Sequence, residues 1–365
     1  MVEFTVQQTC GKARASVLRT AHGEVATPVF MPCGTAGTVK GVTSAQLRET
    51  GVQMVLANAY HLMLRPGAEV VAALGGLHRM MAWDGPILTD SGGYQVFSLA
   101  QRRTVCDDGV TFQSHIDGAA VELTPEICID VQVRLGADII MQLDECPPGD
   151  ASRQDVAAAV RRSADWAARC RKAWEDFGRL AHSGHPQALF GIQQGGVHAD
   201  LRAESAKRIV ALDLPGYAIG GLSVGEGHDR MVQLPADRPR YLMGVGEPRD
   251  ILAAVASGVD MFDCVLPTRN ARNAQAFTWT GRLRLRNAAF TRDCGPIEDG
   301  CPCYACRNFP RAAIRHYFLS EEMLGPTLVT IHNLTFFARF TAAIRQAIAA
   351  GDLPRRAEQW SAGMV

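Results

Sequence analysis

Short apolar runs recur along this chain, and most run into polar or glycine-rich residues. Eight of them read as buried strands: Val29 to Cys33, Gln53 to Ala57, Pro86 to Thr89, Ile139 to Leu143, Leu189 to Ile192, Tyr217 to Gly220, Tyr241 to Val245 and Val259 to Phe262. Helix-like stretches lie between most of them, at Thr43 to Thr50, Thr124 to Leu135, Gln154 to Phe177, Asp200 to Leu212 and Pro248 to Ser257. The stretch Glu69 to Leu74 and the excursion after the third strand are less regular. Alternating strand and helix predicts an α/β fold with a parallel sheet. Eight repeats favour a closed (β/α)8 TIM barrel over an open doubly wound sheet.

The flanks depart from that rhythm. Residues 1–27 read as an antiparallel strand pair capping the barrel. Residues 28–290 carry the barrel, with a small hairpin layer inserted near 93–123. Residues 291–365 carry Cys and Arg first and then a helical pattern, Thr335 to Ala350. They are expected to form a metal-binding subdomain with C-terminal helices.

The strand ends hold the polar chemistry: Asn58-Ala-Tyr-His61, Asp90-Ser-Gly-Gly93, Asp144-Glu145, Gln193-Gln-Gly-Gly196, Gly220-Gly-Leu-Ser223, Gly244-Val-Gly246 and Asp263. In a barrel these ends meet at one rim, where active sites sit. No G-x-x-x-x-G-K-[ST] loop is present, and no G-x-G-x-x-G opens a helix with an acid further on. Neither a P-loop nor a dinucleotide site is expected.

The chain has 365 residues, 47% of them hydrophobic, enough for a large core. Its formal net charge is zero, so no global basicity announces a nucleic-acid partner. Charge is nevertheless uneven. From Arg269 to Arg315 there are nine Arg, no Lys and three acids, Asp293, Glu298 and Asp299. Arg without Lys suits planar, bidentate phosphate contacts, although a solvated stripe would look the same. The start, Met-Val-Glu-Phe-Thr-Val, has neither the basic nor the apolar region of a signal peptide. No apolar run approaches the ~20 residues of a membrane helix. The eleven cysteines are mostly scattered singly, which fits a reducing cytoplasm.

The exception is Cys301-Pro-Cys303-Tyr-Ala-Cys306. Three thiolates this close can converge on one tetrahedral ion that accepts soft ligands. His332 is the obvious fourth ligand, with Cys294 the alternative. Three Cys and one His leave no open position, so one structural Zn²⁺ is expected, not a catalytic one.

Asp263 ends the apolar stretch Val259-Asp-Met-Phe262 and is followed by Thr268-Arg-Asn-Ala-Arg272, read as a basic loop. A carboxylate on a rigid strand beside a basic loop suggests chemistry on something anionic. A strand-end cap is the plainer reading of a lone Asp.

Several long segments together resemble one family, the bacterial-type tRNA-guanine transglycosylases. They are Thr89-Asp-Ser-Gly-Gly-Tyr-Gln-Val-Phe97, Asp144-Glu-Cys146, Phe190-Gly-Ile-Gln-Gln-Gly195, Tyr217-Ala-Ile-Gly-Gly-Leu-Ser-Val-Gly225, Tyr241-Leu-Met-Gly-Val-Gly246, Met261-Phe-Asp-Cys-Val-Leu-Pro-Thr-Arg269 and the cysteine cluster with His332. The resemblance covers nearly the whole chain.

The resemblance implies a TIM barrel with a zinc subdomain and a pentosyltransferase of queuosine biosynthesis. Such an enzyme exchanges the wobble guanine of GUN-anticodon tRNAs for a 7-deazaguanine. By resemblance, Asp263 is the nucleophile that forms a covalent ribosyl intermediate, and Asp90 is the general acid/base. Ser91, Gly92, Gly93, Tyr94, Asp144, Cys146, Gln194, Gly221 and Leu222 look like the base-binding set. Tyr94 and Met243 would sandwich the base. Gly244, Val245, Gly246, Glu247, Pro248, Arg249 and Asp250 match one segment that holds the tRNA anticodon loop. Thr268, Arg269, Asn270, Ala271 and Arg272 match the other. Cys301, Cys303, Cys306 and His332 match the zinc ligands. Cys146 and Val224 favour the aminomethyl base preQ1 as the incoming substrate, while Ser223 stands where Ala is common. The family is cytoplasmic and homodimeric.

Such an exchange parallels retaining glycoside hydrolysis, with one carboxylate attacking C1′ and a second group moving the proton. A non-catalytic RNA-binding relative, or a zinc-stabilised nucleoside hydrolase, would be the alternatives. One departure stands out. Gly225 to Tyr241 is shorter than the family's usual crossover, although a parallel crossover needs about a dozen residues. Strands six and seven are expected to stay in place around it.

Overall fold

A computed structural model of the chain describes residues 2–99, 103–221 and 234–363. Its first strands, β1 (Glu3–Cys10), β2 (Ala13–Thr20) and β3 (Gly23–Thr27), form an antiparallel sheet. The expected pair is therefore a three-stranded sheet. Gly23–Thr27 is too short for its alternation to stand out in sequence. Eight parallel strands follow: β4 (Val29–Pro32), β5 (Val55–Ala57), β6 (Ile87–Thr89), then, beyond an insertion, β10 (Ile139–Met141), β11 (Ala188–Gln193), β12 (Gly216–Ile219), β13 (Arg240–Leu242) and β14 (Met261–Cys264). Each pairs with its neighbour in chain order, and β14 returns to β4. Between β4 and β5 the ring closes through one bridge, Cys33 to Leu56, with Gly34 N donating to Leu56 O at 2.6 Å. The expected eight-stranded barrel is present and nearly closed.

Both faces of these strands are apolar, for a reason visible residue by residue. Met31, Leu56, Leu88, Met141, Phe190, Ala218, Tyr241 and Met261 share one buried cluster inside the ring. The alternate residues Phe30, Val55, Ile87, Ile140, Leu189, Tyr217, Leu242 and Phe262 pack outward against the helix layer. A strand buried on both faces reads as a continuous apolar run, because successive side chains point to opposite sides and neither side meets water. Leu18, Val25 and Phe4 of the N-terminal sheet plug one end of the lumen.

The helices are set by local signals. Thr124 accepts from Ile127 N to cap Pro125–Leu135, and Gly136 ends it in the left-handed conformation. Ser152 caps the 24-residue helix Arg153–Asp176 by accepting from Asp155 N. The insertion after β6 is a helix, Gly93–Leu99, and three short antiparallel strands, β7 (Arg103–Val105), β8 (Val110–Gln113) and β9 (Ala120–Leu123).

β12 and β13 remain parallel neighbours, with Ala218 opposite Tyr241, so the short crossover removes neither strand. Its described end is clamped from below. Arg14 donates to the carbonyls of Ala236 and Arg238 and pairs with the fully buried Asp260, Nη2 to Oδ2 at 2.6 Å. Asp260 also accepts from Arg240 N at 2.7 Å. Breaking such a buried pair from one side typically costs about 3–5 kcal/mol.

After β14 come a short helix, Leu266–Arg272, and the hairpin β15 (Gln275–Thr278) and β16 (Gly281–Arg284). Thr268 to Arg272 is therefore helical, not a loop. The C-terminal helices are Tyr304–Asn308, Arg311–Leu319, Leu324–Ala349 and Leu353–Gly363. The third begins eleven residues earlier than the expected Thr335, so His332 lies within it and not before it. Among the described residues no helix is long and apolar enough to cross a membrane.

Candidate active site and metal cluster

The carboxyl ends of the eight strands gather the expected residues. Asp263 keeps the inward phase of Met261, and Asp90 keeps that of Leu88, so both carboxylates stand at the mouth of the lumen. Asp263 is half-buried and held by three donors. Its Oδ1 accepts from Tyr241 Oη at 2.5 Å and from Gly244 N at 2.7 Å. Its Oδ2 accepts from Cys33 Sγ at 3.5 Å. Burial lifts its pKa above the usual carboxylate range, and these hydrogen bonds pull the other way. The same burial, with Asp263 beside it, drives the Cys33 thiol well up, so it stays a donor.

Asp90 is buried. Its Oδ1 accepts from Ala59 N at 2.9 Å, and its Oδ2 accepts from the Asn58 amide. Burial raises its pKa to about 7; the amides of Ala59 and Gly92 oppose that, and the nearby charges of Asp263 and Asp144 add to it. Asp90 therefore exists in both protonation states near neutrality.

Asp144 lies next around the rim. Its Oδ1 accepts from Ser91 Oγ at 3.2 Å and its Oδ2 from Gln194 Nε2 at 2.6 Å. Burial raises its pKa to about 6, with both hydrogen bonds holding it back. Burial, then Asp144, pushes the half-buried Cys146 thiol up to about 12. Gln194 is fixed by its backbone N–H, which donates to Ser205 Oγ at 3.0 Å, while its side-chain Oε1 is buried without a partner. Two glycines are dictated by these contacts. A Cβ at Gly221 would sit 2.3 Å from Gln194 Oε1, and one at Gly93 would sit 2.7 Å from Asp144 O. Tyr94, at the start of its helix, is 64% exposed, and Met243 is half-buried after β13. Leu222, Ser223 and Val224 lie outside the described residues.

The two candidate RNA segments are only partly accessible. In the first, Gly244 and Arg249 are exposed, Glu247 and Asp250 are half-buried, and Val245, Gly246 and Pro248 are buried. Glu247 pairs with Arg282. In the second, Arg269 and Arg272 are exposed, whereas Thr268, Asn270 and Ala271 face inward. Of that segment only the two arginines are exposed, and Arg272 Nη1 also donates to Thr268 O at 3.1 Å.

Cys301, Cys303, Cys306 and His332 converge, each offering one ligand atom within 4.8 Å of the others. His332 Nδ1 lies 3.7, 3.8 and 3.3 Å from the three sulfurs. His332 Nε2 lies 2.8 Å from the Phe277 carbonyl, an acceptor only, so the proton sits on Nε2 and the Nδ1 lone pair faces the thiols. Cys306 N donates to Cys303 Sγ at 3.3 Å. This closed set of three sulfurs and one nitrogen, buried except for the half-buried Cys306, can hold a metal ion and suits the donor preferences of zinc. Cys294, the alternative ligand, is exposed and outside the cluster.

Residues 9–364 match the family model described as Queuine tRNA-ribosyltransferase. The chain belongs to the queuine tRNA-ribosyltransferase family. A relative of that name from Nostoc sp. is 54% identical over 345 residues, 92% of this chain and 90% of the relative. One from Solidesulfovibrio magneticus is 51% identical over 361 residues, covering 95% and 94% of the two chains. One from Gloeobacter violaceus is 54% identical over 361 residues, covering 96% and 93%.

Several groups of this queuine tRNA-ribosyltransferase family member that hold the two carboxylates were given no such role from sequence. Asn58 and the Ala59 amide hold Asp90, and Tyr241 and Cys33 hold Asp263. Each lies on or just past a barrel strand, which was the available signal.

Proposed function

We propose that this chain replaces the wobble guanine of tRNA with the 7-deazaguanine preQ1, by double displacement through a ribosyl ester on Asp263. The observation that carries the reading is the unequal pair at the rim. Asp263 is half-buried, and its three donors partly offset the burial that raises its pKa, while Asp90 is buried with a pKa of about 7. That inequality supports a division of labour. Ionised Asp263 attacks ribose C1′ as the glycosidic bond breaks, through an oxocarbenium-like transition state. Protonated Asp90 gives its proton to the leaving guanine. It then takes one from the incoming base, whose nitrogen attacks C1′ and frees Asp263.

Base recognition fits the neighbouring groups. Asp144, ionised at neutral pH, can accept from the N1–H and 2-amino group side by side. The incoming base would take the Asp144 oxygen now used by Gln194, freeing that amide to donate to O6 beside Gly221. Tyr94 offers a stacking face of ~1–3 kcal/mol, with Met243 opposite. Cys146 and Val224 support the small aminomethyl substituent. Arg269 and Arg272, with the Gly244 to Asp250 segment, support the anticodon loop. The cysteine cluster with His332 would hold one structural Zn²⁺. The cytoplasm and a homodimer complete the proposal.

Incubation with unmodified tRNA and radiolabelled guanine tests it. Label entering tRNA, and preQ1 chasing it out, is the expected result. Abasic tRNA would mean hydrolysis instead. Binding without incorporation would leave a non-catalytic RNA-binding protein, and full activity in Asp263→Asn would remove the proposed nucleophile.

A further inference from the structure

The opposite end of the barrel carries a second cluster that the proposed reaction does not use. Asp138 immediately precedes β10 and is fully buried. It accepts from Ile87 N, the first residue of β6, at 2.9 Å, which fixes it at the amino ends of the strands. Two imidazoles hang from the same carboxylate. His22 Nδ1 lies 2.8 Å from Asp138 Oδ1, and His78 Nε2 lies 3.1 Å from Oδ2. The two rings stack with centroids 3.5 Å apart, and His185 stands edge-on to the first at 4.6 Å. His185 Nδ1 is 2.9 Å from Ser183 Oγ, while its Nε2 is buried without a hydrogen-bond partner. One nitrogen from each ring lies within 4.8 Å of the others.

We propose that His22, His78 and His185 form a second metal site, for a divalent cation of borderline softness such as Zn²⁺. The arrangement has the features of ligating imidazoles. Each ring has one nitrogen engaged by a protein group, which leaves His22 Nε2, His78 Nδ1 and His185 Nε2 as the available donors. A carboxylate behind two of the rings fixes their tautomers and makes them better bases, as outer partners of metal-bound histidines do. Asp138 stands behind both stacked rings, with one oxygen to each. Zn–N bonds of ~2.05 Å need nitrogens closer together than 4.8 Å, so binding draws the rings inward and tilts the stacked pair apart. Three imidazoles leave a fourth position for water. The ion would staple the turn between β2 and β3, the helix Gly76–Met81 and the loop before β11 to the foot of the barrel. This site is independent of the proposed reaction and of the cysteine cluster.

Metal titration of the full chain tests it. Cobalt(II) distinguishes the two sites, because only the cysteine cluster gives intense thiolate charge-transfer bands. The expected result is a second equivalent with weaker, thiolate-free visible bands, and a Zn²⁺-dependent rise in Tm. His185→Gln and His78→Gln should each remove that equivalent and the Tm response while keeping the charge-transfer bands. Asp138→Asn should weaken binding about 10–100-fold, the range expected for an outer partner. A wild type that takes up no metal beyond the cysteine cluster overturns the proposal. So does a His185→Gln protein that binds as tightly as the wild type.

Discussion

At the scale of single residues, Asp90 links chemistry to stability. Its folded pKa of about 7 lies above the value of ~3.9 expected in the unfolded chain. The folded state therefore holds the proton more tightly, and the wild type loses stability as pH climbs from about 4 to 7. Asp90→Asn should escape that loss. Its Tm advantage should be absent at pH 4 and reach a plateau above pH 7, read by thermal melts across pH. A Tm difference that stays flat over that range would contradict the raised pKa. Base exchange should fall in the wild type above pH 7, as the acid form disappears, and be abolished in the variant at every pH. Sequence alone could place Asp90 and Asp263 at strand ends. It could not supply their environments, because Asn58, Tyr241 and Cys33 reach them only once neighbouring strands are aligned side by side.

Among the elements, the helix Leu266–Arg272 is the one most at odds with its sequence. Pro267 and the run Thr-Arg-Asn-Ala-Arg read as a loop, yet proline suits a first helical turn, and the buried Ala271 pins the segment against Leu324–Ala349. The long helix Leu324–Ala349 was half hidden for a related reason. From Leu328 to Phe337 every residue is buried, so no polar face marks a period of 3.6. The barrel strands were legible for the converse reason, since burial on both sides makes a short apolar run conspicuous. Helicity also sorts the basic segment, sending Arg269 and Arg272 outward and their neighbours inward. Replacing either arginine with alanine should weaken tRNA binding and flatten its salt dependence by ~0.7 in log–log slope, the value for one contact on single-stranded RNA. Thr268→Ala should leave the slope unchanged. Filter binding at several salt concentrations reads both.

Across the whole molecule, metal cluster and rim are joined by one side chain. Asn333, adjacent to His332, donates to Pro267 O at 2.9 Å and Gln275 O at 3.0 Å, and accepts from Phe277 N at 2.9 Å. It thus clips the helix bearing Arg269 to the helix bearing His332. Asn333→Ala should cost about 2–3 kcal/mol, from three buried hydrogen bonds lost at once, measured by denaturant unfolding. Metal removal by chelation, or Cys303→Ala, should lower Tm and tRNA affinity together while leaving binding of the free base largely intact. A chelated protein that holds tRNA unchanged would separate the two regions. The circular order of the strands carries one last consequence. Asp263 lies in the last pleat of β14 and Asp90 follows β6, and between them stand only β4 and β5, the two strands laced by a single bridge. The loosest stave joint of the cask therefore falls midway between the two carboxylates. Under the proposed reaction, the ribose would sit beside the joint with the fewest backbone links.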